Sequence, residues 1–278
     1  GDHLYLHSFP TRRSSDLQGN WNLAATSANA ARQGFSFMTT AQHQDGYNSI
    51  SNPEFMWASY VQEDQTQYFY SFFAYMSHNF NSTAIRQSPK SILKNLYDQI
   101  SPTDVRKTFW YPNSVADKQP FVQSNGVRYN YMSSKFKSVS VSDSRGDFPW
   151  IRVAEMYLIE AEALARQAGK EDLAKDVLLL LAKNRDPQYV RSANTGQALI
   201  SEILIQRRIE LWGEGRNFTD LKRLGLPLER PEASSGSMGG HVASIAIKLT
   251  EPAGTNEWTW MIPRREIDTN PNLEQNPA

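Results

Sequence analysis

Residues 203–225, with the sequence ILIQRRIELWGEGRNFTDLKRLG, decide how the rest of the chain is interpreted. Their large apolar side chains recur three and four positions apart on both sides of Gly213 and Gly215. This spacing predicts two helices separated by a glycine break. Arginines and acidic residues are interleaved with the apolar ones. Charged groups on a buried helix face must pair with opposite charges, so part of this charge is expected to lie in ion pairs inside the fold.

A second helical stretch, residues 150–169 (WIRVAEMYLIEAEALARQAG), carries small and apolar residues along one face. Ala154, Leu158 and Ala161 belong to a stripe that allows another helix to approach closely. Residues 172–183 have the apolar spacing expected of that partner. Helix pairs with small residues at their crossing are typical of tetratricopeptide repeats. We therefore predict a mostly α fold of tetratricopeptide-like helix pairs, with long loops and a few short strands.

The charged residues of both stretches are predicted to form a structural ion-pair core. Glu155 and Glu162 share a helix face, with Arg152 just before them, and arginines of the glycine-broken stretch are expected nearby. Two carboxylates on one face can also act as an acid–base pair, but structural ion pairs are the commoner use of such a cluster. The residues assigned to this core are Arg152, Glu155, Glu162, Arg207, Arg208, Glu210, Arg216 and Asp220.

Aromatic residues are concentrated between positions 47 and 75, where asparagine and glutamine are interspersed among them. Aromatic rings pack against the C–H face of a sugar, and amides hydrogen-bond its hydroxyl groups, so this composition fits a saccharide site. The alternative is that the rings form a core and the amides lie in loops. The candidate ligand-binding residues are Tyr68, Tyr70, Tyr75, Trp110 and Tyr111, of which the last two are predicted to lie on a loop before Pro112.

Composition argues against several classes of protein. The chain of 278 residues has 29 Lys plus Arg, 29 Asp plus Glu and no cysteine. A zero net charge without a basic run does not fit nucleic-acid binding, and the lack of cysteine excludes disulfides and Cys-ligated zinc. No apolar run approaches the ~20 residues of a membrane helix. Without an HExxH helix, a phosphate loop or a nucleophile motif, we predict no cofactor, no metal site and no catalytic residue.

The two helical stretches resemble the SusD/RagB family. RRIELWGEGRNFTDLKRLG is similar to the family signature ERR-x-EL-x-x-EG-x-R-x-x-DL-x-R-x-G, and residues 150–169 are similar to its V-L-R-Y-A-E-x-Y-L-x-x-A-E-A helix. The closing segment MIPRREIDTNPNLEQNPA resembles the family's P-x-x-E-I-x-x-N-P-x-L-x-Q-N-P end. These matches occur in the order in which the family has them and together span about half of the chain.

The resemblance implies a function as well as a fold. SusD/RagB proteins are surface-exposed outer-membrane lipoproteins that bind glycans or other nutrients and deliver them to a TonB-dependent, SusC-like transporter. The resemblance therefore implies a non-catalytic glycan-binding lipoprotein, of which this chain is the C-terminal part. The signal peptide and lipidated cysteine that the family carries are missing from the sequence. Two alternatives stay open: a peptide ligand, and a glycoside hydrolase with two carboxylates about 5–10 Å apart among the rings.

The sequence divides into three parts. Residues 1–17 contain FPTRRSSDL, which resembles a translated sequencing adapter, and are expected to be non-native and to contribute nothing to the fold. Residues 18–148 form the loop- and aromatic-rich region assigned to the ligand face, and residues 149–278 form the family's C-terminal helical domain with a closing strap. Smaller predictions are a helix over residues 91–100, short strands over 245–249 and 258–262, and an irregular strap.

Overall fold

The computed structural model describes residues 15–16, 18–65, 68–88, 90–112, 130–233, 239–244 and 246–277. Over these ranges the chain is mostly helical, with long loops and three two-stranded antiparallel sheets. The predicted fold class is confirmed. The predicted strand position Ile245 lies outside the described residues.

The helices and strands are named here in chain order. The helices are α1 (Trp21–Arg32), α2 (Thr40–Gln44), α3 (Phe72–Met76), α4 (Thr83–Gln87), α5 (Lys94–Tyr97), α6 (Val153–Ala165), α7 (Glu171–Arg185), α8 (Gly196–Glu210), α9 (Arg216–Leu224) and α10 (Arg264–Thr269). The strands are β1 (Phe55–Ser59), β2 (Trp110–Tyr111), β3 (Met132–Ser133), β4 (Phe148–Arg152), β5 (Leu228–Glu229) and β6 (Thr250–Glu251). Strand β1 pairs with β4, β2 with β3, and β5 with β6.

Helices α1, α6, α7 and α8 pack together around α6 and form the first hydrophobic core. Small side chains make this possible: Ala24 and Ala28 of α1 and Ala154 and Ala161 of α6 are all fully buried. Helix α6 is buried nearly all round because α1 covers one side and α7 and α8 cover another. The small-residue stripe predicted from the sequence is therefore a helix-packing surface.

A second hydrophobic core is built mainly from aromatic residues of loops, short strands and short helices. It contains Tyr47, Phe73, Phe109 and Phe136. Helix α8 takes part in both cores, because Ile203 near its middle belongs to the first core and Ile209 near its end belongs to the second. The C-terminal end of α8 is thus the place where the two cores meet.

The glycine break after α8 occurs where the sequence predicts it. Gly213 and Gly215 both have φ of +78°, in the left-handed region that favours glycine. A Cβ atom on Gly213 would also lie 2.7 Å from Cε2 of Phe136. Helix α8 therefore ends at Glu210, and the chain re-enters a helix at Arg216.

Three smaller predictions are wrong. The helix predicted over 91–100 is reduced to α5, because residues 91–92 pair instead with residues 131–132, as in the bond from Ile92 N to Tyr131 O. Trp258 lies in a 3₁₀ turn (Asn256–Trp258) and not in a strand, with its ring stacked on Phe218. The strap predicted to be irregular contains α10, although the Gln275 side chain does fasten the segment after it to the backbone of Ile262.

Glu210, the last residue of α8, is the centre of a buried ion cluster between the two cores. Its carboxylate accepts hydrogen bonds of 3.0–3.1 Å from Arg106, Arg152 and Arg185. Burial alone would raise the pKa of Glu210, but these guanidinium groups hold that pKa well below its usual value. We call the whole group the Glu210 cluster; its members are Glu54, Asp104, Arg106, Lys135, Arg152, Arg185, Glu210 and Glu214.

The Glu210 cluster is balanced in charge, with four cations and four carboxylates, and every member is buried. Lys135 also closes the end of α8: its Nζ donates to the carbonyls of Glu210 at 2.8 Å and Trp212 at 2.9 Å, and to the Glu214 carboxylate at 2.6 Å. Burial lowers the pKa of Lys135 to about 8. Because the members come from separate segments of the chain, the cluster ties these segments to one point.

A second ion network joins α6, α8 and α9. Asp220 of α9 accepts hydrogen bonds of 2.8 Å from both Arg207 and Arg223. Arg223 also forms a two-point bond with Glu162, at 2.8 and 2.7 Å. Glu155 lies 3.4 Å from Arg216. We call this network the Asp220 cluster; its members are Glu155, Glu162, Arg166, Arg207, Arg216, Asp220 and Arg223.

All residues of the predicted ion-pair core except Arg208 lie in these two clusters. Arg208 is exposed and has no carboxylate partner among the described residues, so the prediction is wrong for it. The reason is the helical rotation between neighbours, which buries Arg207 and turns Arg208 outward. Arg152, the last residue of β4, is paired with Glu54, Glu210 and Glu214, and not with Glu155 or Glu162, as its position just before α6 had suggested.

Only two residues of the segment 1–17 fall in the described ranges, Ser15 and Asp16. Asp16 is 4% exposed and its Oδ1 lies 3.5 Å from Nη1 of Arg223, at the edge of the Asp220 cluster. Burial raises the pKa of Asp16 to about 6. This contact runs against the expectation that the segment contributes nothing; for the rest of it, that expectation stays a prediction.

We expect Glu210→Ala to lower the free energy of unfolding by about 3–5 kcal/mol, because it leaves three buried arginines without their shared partner. Chemical denaturation followed by circular dichroism measures the change. Glu266→Ala is the matched control, since Glu266 is an exposed helical glutamate on α10. Equal stabilities of the two variants would contradict a structural role for the Glu210 cluster.

His43 is expected to make stability depend on pH. It is 1% exposed, its Nδ1 lies 2.7 Å from the Tyr47 hydroxyl, and burial together with nearby arginines lowers its pKa to about 2. An unfolded histidine has a pKa near 6.5, so below that pH only the unfolded state takes up this proton. Its contribution is complete above pH 6.5 and falls by about 1.4 kcal/mol per pH unit below it.

Denaturation of the wild type and of His43→Gln at several pH values between 7 and 4.5 tests the predicted pH dependence of the His43 contribution to stability. The difference between their unfolding free energies is expected to shrink steadily as the pH falls. Parallel curves would show that His43 takes up a proton in the folded state as readily as in the unfolded one.

Candidate functional site

Exposed aromatic rings are carried by the β1–β4 sheet and by the turn before α3. We call these rings the aromatic surface; its members, with their exposed fractions, are Trp57 (60%), Tyr60 (62%), Tyr68 (44%), Phe69 (54%), Tyr70 (75%) and Trp150 (44%). The loop 138–147 joins the two groups of rings. The Tyr68 hydroxyl donates to the Ser142 carbonyl, and the Ser144 hydroxyl donates to the carbonyl of Tyr68 at 2.5 Å.

An irregularity in the β1–β4 pairing exposes Trp57. The register shifts on both sides of this residue, between Phe55 and Trp57 and between Trp57 and Ala58. In a regular strand Phe55 and Trp57 would face the same side, yet Phe55 is buried and Trp57 is exposed. The ring of Trp57 lies 6.1 Å from that of Trp150, which β4 presents next to it. The bulged pairing therefore puts two tryptophans side by side in solvent.

The Trp150 ring is held in position by its neighbours. Its Nε1 donates to the Ser59 hydroxyl at 2.5 Å, and its ring meets that of Phe148 edge-on at 4.9 Å. Its backbone carbonyl accepts a hydrogen bond of 2.6 Å from Arg216. A ring fixed in this way loses little conformational entropy when a ligand stacks on it.

The loop 138–147 forms a shallow polar cavity of about 390 Å³ beside Tyr60. Asp147 shapes it by accepting hydrogen bonds from the backbone N–H groups of Ile50 at 2.7 Å and Val61 at 3.0 Å. Gly146 allows the loop to pass close to Phe73, because a Cβ atom there would lie 2.3 Å from the Phe73 ring. The cavity places polar groups next to an exposed ring, as a sugar requires.

The structure separates the candidate rings chosen from the sequence. Tyr68 and Tyr70 belong to the aromatic surface, and Tyr75, on α3, is 42% exposed. Trp110 is 2% exposed and packs against Phe109 and Trp212, so its choice as a ligand-contacting ring is wrong. It lies in β2, which pairs with β3, and not on a loop. Tyr111 follows it in β2 and is half-buried.

Four rings of the aromatic surface were not chosen from the sequence: Trp57, Tyr60, Phe69 and Trp150. Trp57 and Tyr60 lie within the aromatic-rich region, but nothing in the sequence shows the bulge that turns Trp57 outward. Trp150 is the first residue of the stretch 150–169, which predicts a helix and not an exposed strand residue. No sequence signal marks its exposure, because Pro149, Trp150 and Ile151 are all apolar and do not alternate with polar residues.

Two of the carboxylates near the aromatic surface make hydrogen bonds that hold the loop 138–147. Asp143 accepts a hydrogen bond of 2.6 Å from Arg145, and Asp147 accepts from two backbone N–H groups. Glu63, which is mostly exposed, lies 3.6 Å from Arg145. In the described part of the chain, no group of three or more metal-ligating side chains is close enough to hold a metal ion. This arrangement offers a ligand aromatic rings and polar edges.

None of the helices in the described ranges is both long enough and apolar enough to span a membrane.

The sequence model described as the SusD family matches residues 20–278. The chain belongs to the SusD family. The resemblance of the two helical stretches and of the closing segment is thereby confirmed. No curated protein matches the sequence.

Solved structures of SusD-like proteins share the fold of this SusD-family chain. A SusD-like carbohydrate binding protein from Bacteroides vulgatus superposes with a TM-score of 0.79 at 22% identity, over 94% of this chain and 57% of the other. A SusD superfamily protein from Bacteroides thetaiotaomicron superposes with a TM-score of 0.76 at 21% identity, over 96% of this chain and 59% of the other. Surface glycan-binding protein A from Bacteroides thetaiotaomicron, in complex with laminarihexaose, superposes with a TM-score of 0.64 at 17% identity, over 97% of this chain and 62% of the other.

These identities establish a common fold and nothing more specific. The chain spans about three-fifths of the length of each of these structures. The activity, ligand and partners of a complete SusD-family protein are therefore proposals for this chain.

Proposed function

We propose that this chain binds glycans without cleaving them, and that the aromatic surface is where they bind. The observation that carries the proposal is the pair Trp57 and Trp150, two large rings 6.1 Å apart that are 60% and 44% exposed. Exposed apolar rings of this size gather where another molecule covers them. Rings with a polar cavity beside them suit a polyhydroxylated ligand that has apolar C–H faces.

Membership of the SusD family supports the choice of a glycan over other ligands of aromatic surfaces. The relatives whose names state a ligand are carbohydrate-binding or glycan-binding proteins, and one of them holds laminarihexaose. The hydrogen bonds that engage Asp143 and Asp147 within the loop 138–147 support binding over hydrolysis, because a glycosidase needs two carboxyl groups free to act on the bond.

We expect Trp150→Ala to weaken the binding of an oligosaccharide by about 5- to 150-fold, which corresponds to about 1–3 kcal/mol for the loss of one stacking ring. Calorimetric titration with a panel of neutral oligosaccharides that includes laminarihexaose first identifies a ligand. That ligand is then titrated into Trp150→Ala and into Tyr70→Ala. Trp260→Ala is the matched control, because Trp260 is an exposed tryptophan near the C-terminus and outside the aromatic surface.

Equal affinities of Trp150→Ala, Tyr70→Ala and Trp260→Ala would place the ligand elsewhere. Binding of peptides with no binding of oligosaccharides would favour the peptide alternative. A reducing-sugar assay of the same mixtures separates binding from cleavage, and release of new reducing ends would replace the binding function with a hydrolase.

The proposal extends to a partner and a location. In the complete protein, the bound glycan is passed to a TonB-dependent, SusC-like transporter at the outer face of the outer membrane. This part rests on family membership alone. Affinity purification of the tagged protein from membranes tests it: the transporter is expected to co-purify, and its absence under conditions that preserve other outer-membrane complexes would contradict the partnership.

A further inference from the structure

A second and larger cavity, of about 920 Å³, opens on another part of the molecule. Residues at the junction of α8 and α9 line it together with residues of the segments 87–88, 90–96 and 240–242 and with Ala246. No ring of the aromatic surface lines it. Its size falls within the range of about 300–1,000 Å³ typical of ligand sites.

Cations without carboxylate partners among the described residues line this cavity. Arg208 makes no hydrogen bond or ion pair there; although the residue is exposed, partial burial of its guanidinium group lowers its pKa. Lys90 donates only to the carbonyl of Ser88, and burial lowers its pKa too. Arg230 donates to the carbonyl of Lys248 at 3.3 Å. In the two ion clusters, by contrast, each arginine meets a carboxylate.

The acidic group of the cavity wall does not balance these cations. Asp220 is the carboxylate that the described residues contribute to the lining, and it is already bonded by Arg207 and Arg223. Arg207, which is 4% exposed and also lines the cavity, keeps one buried donor, Nη1, without an acceptor in the described part of the chain. The cavity therefore presents positive charge to whatever enters it.

Aromatic and aliphatic side chains form the rest of the wall. The ring of Phe218 is 44% exposed and is supported from behind by Trp258, on which it stacks at 5.6 Å. Trp212 is half-buried and braced edge-on by Trp110. Leu93 also lines the cavity. A ligand of this cavity thus needs both an anionic group and an apolar face.

We propose that this cavity binds carboxylate-bearing saccharides, that is, oligosaccharides containing uronic acids. The proposal rests on the glycan-binding function proposed above but assigns the acidic sugars to a site of their own. A sugar ring supplies the apolar face for Phe218 and Trp212, and its carboxylate matches the planar, two-point donor geometry of a guanidinium group such as Arg208. A neutral sugar that covered these cations would leave them without an opposite charge, so the charge favours the acidic form.

Titration with pentagalacturonate and with its fully methyl-esterified form tests the proposal, because the ester has the same sugar backbone but carries no carboxylate charge. The acid is expected to bind at least about tenfold more tightly than the ester. Arg208→Gln is expected to remove most of that difference. It should fold normally, since Arg208 takes part in no ion pair. Arg265→Gln, at an exposed arginine of α10, is the matched control and should bind as the wild type does.

Equal affinities for acid and ester, or an unchanged affinity in Arg208→Gln, overturn the proposal, as does the absence of pentagalacturonate binding. A sulfated oligosaccharide that binds while pentagalacturonate does not overturns the carboxylate assignment. Trp150→Ala is expected to leave pentagalacturonate binding unchanged. Neutral oligosaccharides that still bind at the aromatic surface would then show that the proposed function stands although this inference has failed.

Discussion

The carboxylate of Glu210, shared by three buried arginines, is the interaction on which the rest of the structure depends. It lies at the end of α8, where the helical core meets the aromatic core. Buried charges are costly unless their partners are complete, and the Glu210 cluster meets this condition with equal numbers of cations and carboxylates. Removing one member leaves the others uncompensated, so the segments that contribute to the cluster are held together as a set.

Both proposed binding sites rest on this frame. Glu54 immediately precedes β1 and Arg152 ends β4, and their ion pair anchors one end of the sheet that presents Trp57 and Trp150. Lys135 binds the carbonyls at the end of α8 and so fixes the start of the glycine break. The break in turn sets the direction of α9, which forms one wall of the larger cavity of about 920 Å³. Arg216 joins the two regions, since it starts α9 and bonds the carbonyl of Trp150.

The sequence was sufficient for the parts of the fold that local periodicity controls. The spacing around Gly213 predicted α8, the break and α9, and the small-residue stripe predicted the packing of α6. Ion pairing could be predicted in general, but not the partners, because Glu54, Arg106 and Arg185 reach Glu210 from distant parts of the chain. The aromatic surface was predictable only as a region. Whether a ring such as Trp110 or Trp57 faces solvent depends on strand pairing and bulges, which leave no periodic signal in so short a strand.

The central claim is that the Glu210 cluster makes the helical core and the aromatic core one cooperative unit. Native-state hydrogen exchange of backbone amides tests it most directly, with α6 amides reporting on the first core and those of residues 131–136 on the second. If the claim is correct, the slowest amides of both cores exchange with the same opening free energy, equal to that of global unfolding. Exchange of the aromatic core at a clearly lower free energy, while α6 stays protected, would show that the two cores open separately and would contradict it.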